Sequence, residues 1–198
     1  MIILGIDPGT LVTGYGVIET LGAGRMRVIE YGTVEAKKIG SLPLRLRAIF
    51  TRLVAVIERT SPDEIALESA FYHKNVQSTL KLGHARGVAM LAGSLKDLTT
   101  AEYAPSEVKR AVAGKGGASK EQVEYMVRVL LNLKETDRKL PDAYDALAIA
   151  ITHAARSGGP GKGVARNWKQ FVEQHPERVQ SPVRSEPTER PKTPKKRP

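Results

Sequence analysis

The hydrophobic period of this chain changes at Gly40, and that change confines it to a mixed α/β architecture. Before it, Ile2–Asp7 is a short apolar run ending in Asp-Pro-Gly, the pattern of a buried strand followed by a turn. Val12–Thr20 and Arg25–Val34 follow as β-rich segments, separated by Leu-Gly-Ala-Gly at 21–24. Three strands with such short connections form an antiparallel meander. After Gly40, Leu46, Ile49, Phe50, Leu53 and Ile57 fall at i, i+3, i+4, i+7 and i+11, one face of a helix that Ser61-Pro62 ends.

Strands and helices then alternate. Glu64–Ala70 is apolar and strand-like, and the helix before it implies a right-handed crossover, which sets it parallel to the first strand. Ser78 to about Lys96 reads as a second helix and Thr99–Ala104 as a fifth strand. Ser119 and Gln122 make a capping box ahead of Val123, Met126, Val127, Leu130 and Leu131. Pro141 suits the first turn of a last helix through Ala155. The expected fold is a five-stranded mixed sheet flanked by helices.

Beyond Gly158 the composition shifts: seven of the chain's twelve prolines lie there. From Arg156 onward there are eleven Lys/Arg against four Glu, so +7 of the total +10 sits in this segment. Such a stretch buries too little apolar surface to offset its ordering entropy. We therefore expect one folded domain over residues 1–156 and a basic, Pro-rich, disordered tail over 157–198. The chain has no cysteine, which excludes disulfides and thiolate metal sites. MIILGIDPG lacks the basic leader and apolar run of a signal peptide, and no stretch approaches the roughly 20 apolar residues of a membrane span. A cytoplasmic protein is expected.

Four of the seventeen acidic residues in 1–155 stand where a solvated face does not account for them. Asp7 ends the apolar strand, and Glu68 lies inside IALESA. Ionised carboxylates beside core strands are costly unless paired with cations. Asp142 and Asp145, spaced i, i+3, share one face of the last helix's first turn. Taken singly, each has an ordinary reading: a turn aspartate, a partner for a core arginine, two helix-start acids. Together, on neighbouring parallel strand ends and a helix start, they match what two-metal phosphodiester hydrolysis requires.

GIDPGTLVTGYGVIE at 5–19, LESAFYHKN at 67–75, LKLGHARGVAM at 80–90 and DAYDALAIAITH at 142–153 closely resemble the RuvC family of Holliday-junction resolvases. The resemblance spans about residues 1–155 and implies a ribonuclease-H-like fold and a homodimer. It implies Mg2+ or Mn2+, two ions per site, and paired symmetric nicks in four-way DNA junctions that leave 5′-phosphate and 3′-hydroxyl ends. The family's acidic positions fall on Asp7, Glu68, Asp142 and Asp145. Phe71 matches an aromatic expected to stack on an unstacked base, and Lys109 and Lys120 match positions that approach the scissile phosphates. The resemblance also implies the RuvA–RuvB branch-migration complex as a partner.

Tyr72, His73 and Arg86 carry no assigned role at this level, and Lys115 reads as solvent-facing. Two rivals remain open. An actin-like or sugar-kinase ATPase would use the Asp7-Pro-Gly-Thr10 turn for phosphate, and a non-catalytic junction-binding module would rely on the basic tail.

Overall fold

Both sides of β1 (Ile2–Asp7) are covered, which is why Ile3, Leu4 and Ile6 are all fully buried. The computed structural model describes residues 1–69, 76–134 and 140–157. β1 pairs antiparallel with β2 (Val12–Gly22), and β2 with β3 (Arg25–Glu35), giving the expected meander. On its other edge β1 pairs parallel with β4 (Glu64–Glu68), which pairs parallel with β5 (Thr99–Tyr103). The sheet order is β3-β2-β1-β4-β5.

Two helical layers cover the sheet. α1 (Leu42–Thr60) and α2 (Val76–Ser94) bury Ile49, Leu53, Val56, Ala89 and Ala92 against Leu4, Ile6, Val17, Ile65 and Leu67. The opposite face carries α3 (Pro105–Ala113), α4 (Lys120–Leu131) and α5 (Pro141–Ser157), packed with Ile3, Ile18 and Ala66. Each fully buried aliphatic side chain contributes about 1.5–3 kcal/mol, so both layers are needed to close the core.

Helix α5 lies unusually low on the sheet because strand glycines admit it. A Cβ on Gly14 would stand 1.9 Å from the Asp142 carbonyl oxygen, and one on Gly5 would stand 2.1 Å from that of Ala146. No real side chain fits there, so these glycines set how deep the first turns of α5 sit.

Several boundaries depart from expectation. β4 ends at Glu68 rather than Ala70, and α2 runs from Val76 to Ser94 rather than from Ser78 to Lys96. Its end is fixed by Gly93, whose carbonyl accepts from the amides of Lys96 and Leu98, and by Asp97 at φ 57°. α3 was not anticipated. Pro105 opens it, Glu107 accepts from the Ala104 amide at 2.9 Å, and Gly114 closes it at φ 78°.

Candidate active site

Parallel pairing sets Ile6 beside Leu67, so the next residues, Asp7 and Glu68, emerge together at the carboxyl end of the sheet. The low seat of α5 brings its first turn over that edge. Asp7, Asp142 and Asp145 each offer a carboxylate oxygen, and these oxygens lie within 4.8 Å of one another. Glu68 stands at the rim of that triad. It lines a cleft of about 200 Å³ shared with Asp7, Asp145, Lys109 and Lys120.

The electrostatics record the crowding. Asp7 is pushed from its ordinary 3.8 up to about 7, first by burial and then by the charges of Asp145, Glu68 and Asp142, with Lys120 opposing. Burial, followed by Asp145, also raises Glu68, while Arg86, Lys109 and Lys120 pull it down. Lys120 Nζ bonds Asp145 Oδ2 at 2.6 Å, and that bond raises the lysine's own pKa. One bonded ammonium does not neutralise four carboxylates. The donor set is entirely oxygen and is partly desolvated, which fits a hard divalent cation.

The local sequence explains each placement. Ser119 caps α4 by accepting from the Gln122 amide at 3.3 Å, which puts Lys120 at the first helical position. Lys109 rides on α3, the helix missing from the sequence reading. Its signal was present in Pro105, Glu107 and Gly114, a start and stop for nine residues with two buried positions, Val108 and Val112. Lys115 is exposed, as expected. Phe71, Tyr72 and His73 lie outside the described residues. Arg86, unassigned before, donates from Nη1 to the Glu68 carbonyl and pairs through Nη2 with Glu102 at 2.8 Å.

The family model described as crossover junction endodeoxyribonuclease RuvC matches residues 3–153. The chain belongs to the RuvC family. A Porphyromonas gingivalis crossover junction endodeoxyribonuclease RuvC is 42% identical over 184 residues, covering 90% of this chain and 96% of the relative. One from Syntrophotalea carbinolica is 52% identical over 154 residues, covering 78% and 94%. Among solved structures, Thermus thermophilus RuvC in complex with Holliday junction substrate superposes with a TM-score of 0.74 at 37% identity, covering 80% of this chain and 96% of that one. The yeast mitochondrial resolvase Ydc2, at 14% identity and a TM-score of 0.56, shares the fold.

Membership of the RuvC family makes this a nuclease that hydrolyses phosphodiester bonds, acting in DNA recombination and repair with a metal-dependent site. It also removes the actin-like reading of the Asp7-Pro-Gly-Thr10 turn. The Porphyromonas match has a further consequence. A span of 90% of this chain does not fit within residues 1–157, so similarity to that RuvC runs on into the Pro-rich segment.

Proposed function

We propose that this protein is a homodimeric Holliday-junction resolvase that makes paired symmetric nicks in four-way DNA junctions, leaving 5′-phosphate and 3′-hydroxyl ends. The convergence of Asp7, Asp142 and Asp145 within 4.8 Å, with Glu68 on the same cleft, carries this reading.

In it, the four carboxylates hold two Mg2+ ions, with Mn2+ able to replace them. When bound, such ions supply an activated water and neutralise charge on the leaving 3′ oxygen. Lys120 and Lys109, which line the same cleft, meet the scissile phosphate, where an ammonium's attraction strengthens as the phosphate gains charge. Phe71 stacks on a base opened at the junction centre. The nuclease domain is residues 1–156, and 157–198 is a basic tail that adds phosphate contacts.

Two opposed nicks call for two sites related by a two-fold axis. The outer side of α2 supports its use as the dimer face. Gly83 and Gly87 have open space where a Cβ would stand, so nothing among the described residues explains two mid-helix glycines that cost about 1 kcal/mol each. Leu80 and Leu91 are exposed on the same helix at 59% and 51%. Junctions would reach the dimer from a RuvA–RuvB branch-migration complex in the cytoplasm. Among the described residues, no helix is long and apolar enough to cross a membrane.

The test is incubation with an end-labelled four-way junction, Mg2+ and no nucleotide. Symmetric nicks, absent from linear duplex of the same sequence, are expected. A gel shift without nicking would instead favour the non-catalytic junction binder.

A further inference from the structure

Glu68 stands one residue past the last β1–β4 pair, Ile6 with Leu67. The sheet holds it on one side, where it pairs with Tyr103 of β5. The Glu68 backbone carbonyl is gripped by Arg86 Nη1, reaching over from α2. Nη2 of the same guanidinium lies 2.8 Å from Glu102 Oε2 on β5. The Arg86 side chain is 11% exposed. A surface arginine that served DNA would present its fork to solvent, and this one spends both terminal nitrogens inside the protein. Its neighbours on α2, Ala85 and Ala89, are fully buried, so the helix beneath the guanidinium is seated firmly.

We infer that Arg86 is a positioning residue for the nuclease reaction, pinning the end of β4 between α2 and β5 so that the Glu68 carboxylate is aligned with the aspartate triad before metal arrives. This rests on the proposed role of Glu68 as a metal ligand. Partners that orient a ligand typically alter metal affinity or activity by about 10–100-fold when lost. A lysine does not replace the grip, because bridging a carbonyl and a carboxylate needs the planar fork. Glu102 orients the fork from behind, and its loss acts in the same direction with smaller effect.

The inference predicts a metal phenotype without a DNA-binding phenotype. Full-length wild type, Arg86→Gln, Arg86→Lys and Glu102→Gln are compared by calorimetric titration with Mn2+ in the absence of DNA. Junction affinity in EDTA and single-turnover nicking against Mg2+ concentration complete the set, with circular dichroism to confirm folding. Both Arg86 variants should bind Mn2+ about 10–100-fold more weakly. Each should need correspondingly more Mg2+ to nick, with junction affinity within about twofold of wild type. Glu102→Gln should show a smaller shift of the same sign, and it keeps the test alive if an Arg86 variant fails to fold. Unchanged Mn2+ affinity in the folded variants overturns the inference, and so does a parallel fall in junction affinity, which would make Arg86 a phosphate contact. The DNA-free titration is read independently of nicking, so a wild type that binds Mn2+ but leaves junctions intact counts against the resolvase reading alone.

Discussion

Lys120 Nζ sits 2.6 Å from Asp145 Oδ2, although Lys120 occupies the first residue of α4, where the helix dipole disfavours a cation. The two side chains are 56% and 32% exposed, and such a pair contributes about 0–1 kcal/mol. The dipole penalty, about 0.3–1 kcal/mol, is of the same size, so stability does not explain the lysine. Phosphate does. Lys120→Met should leave the melting temperature nearly unchanged and slow single-turnover nicking by about 10²–10³-fold. A large drop in melting temperature with normal nicking would return Lys120 to a structural role.

The raised pKa of Asp7 makes a stability prediction whose sign is opposite to that of an ordinary paired aspartate. Its folded value, about 7, lies above its ordinary 3.8, so the folded state holds the extra proton. The stabilisation is full below about pH 4 and is lost as pH rises through 7. In EDTA, Asp7→Asn should therefore melt above wild type at pH 8, and the gap should narrow steadily as pH falls through 7 toward 5. Mg2+ competes with that proton, so its stabilisation of wild type should be large at pH 8 and fade below pH 7. Melting curves from pH 5 to 8, with and without Mg2+, measure both; a pH-independent gap would contradict the assignment.

Much of this centre was legible in the sequence. Taken singly, Asp7, Glu68, Asp142 and Asp145 each have an ordinary reading, and they stood out only as a set, two at the ends of apolar strands and two at i, i+3 on one helix face. The α4 start was equally plain, since a capping box is a local signal. What stayed hidden was long-range. Nothing in the spacing of Gly5 and Gly14 says that α5 will lie against their bare Cα atoms. Helix α3 buries two residues in nine, too few for a periodic signature, and with it went the seat of Lys109. Arg86 reads as one basic residue among many until its two partners, 18 and 16 residues away, fold around it.

The outer face of α2 gives an assembly prediction. Leu80→Glu and Gly87→Glu project charge from a face of α2 that is exposed among the described residues, so both variants should fold. Sedimentation should find monomers, and these should nick at most one strand per binding event on a cruciform plasmid. Variants that stay dimeric would move the interface elsewhere.

Residues 159–198 carry ten Lys/Arg against four Glu, a net +6, and loss of about six phosphate contacts would lower the slope of log affinity against log salt by about five. Deleting 159–198 should leave a folded, nicking enzyme with weaker binding to every DNA shape and a shallower salt slope. Because similarity to the Porphyromonas RuvC runs past residue 157, deleting 181–198 alone provides a second point. Selective loss of junction preference in either deletion would contradict a purely electrostatic tail.

The central claim is that four carboxylates hold the metal that cuts the junction, while lysine and arginine contacts bind it. Single-turnover nicking of an end-labelled four-way junction, at saturating enzyme and saturating Mg2+, tests it directly. Wild type should give paired symmetric nicks. Asp7→Asn, Glu68→Gln, Asp142→Asn and Asp145→Asn should each slow nicking by at least about 10³-fold, several kcal/mol of barrier, with junction affinity kept or tightened. A variant that nicks at near wild-type rate would remove its residue from the site, and two such variants would contradict the account.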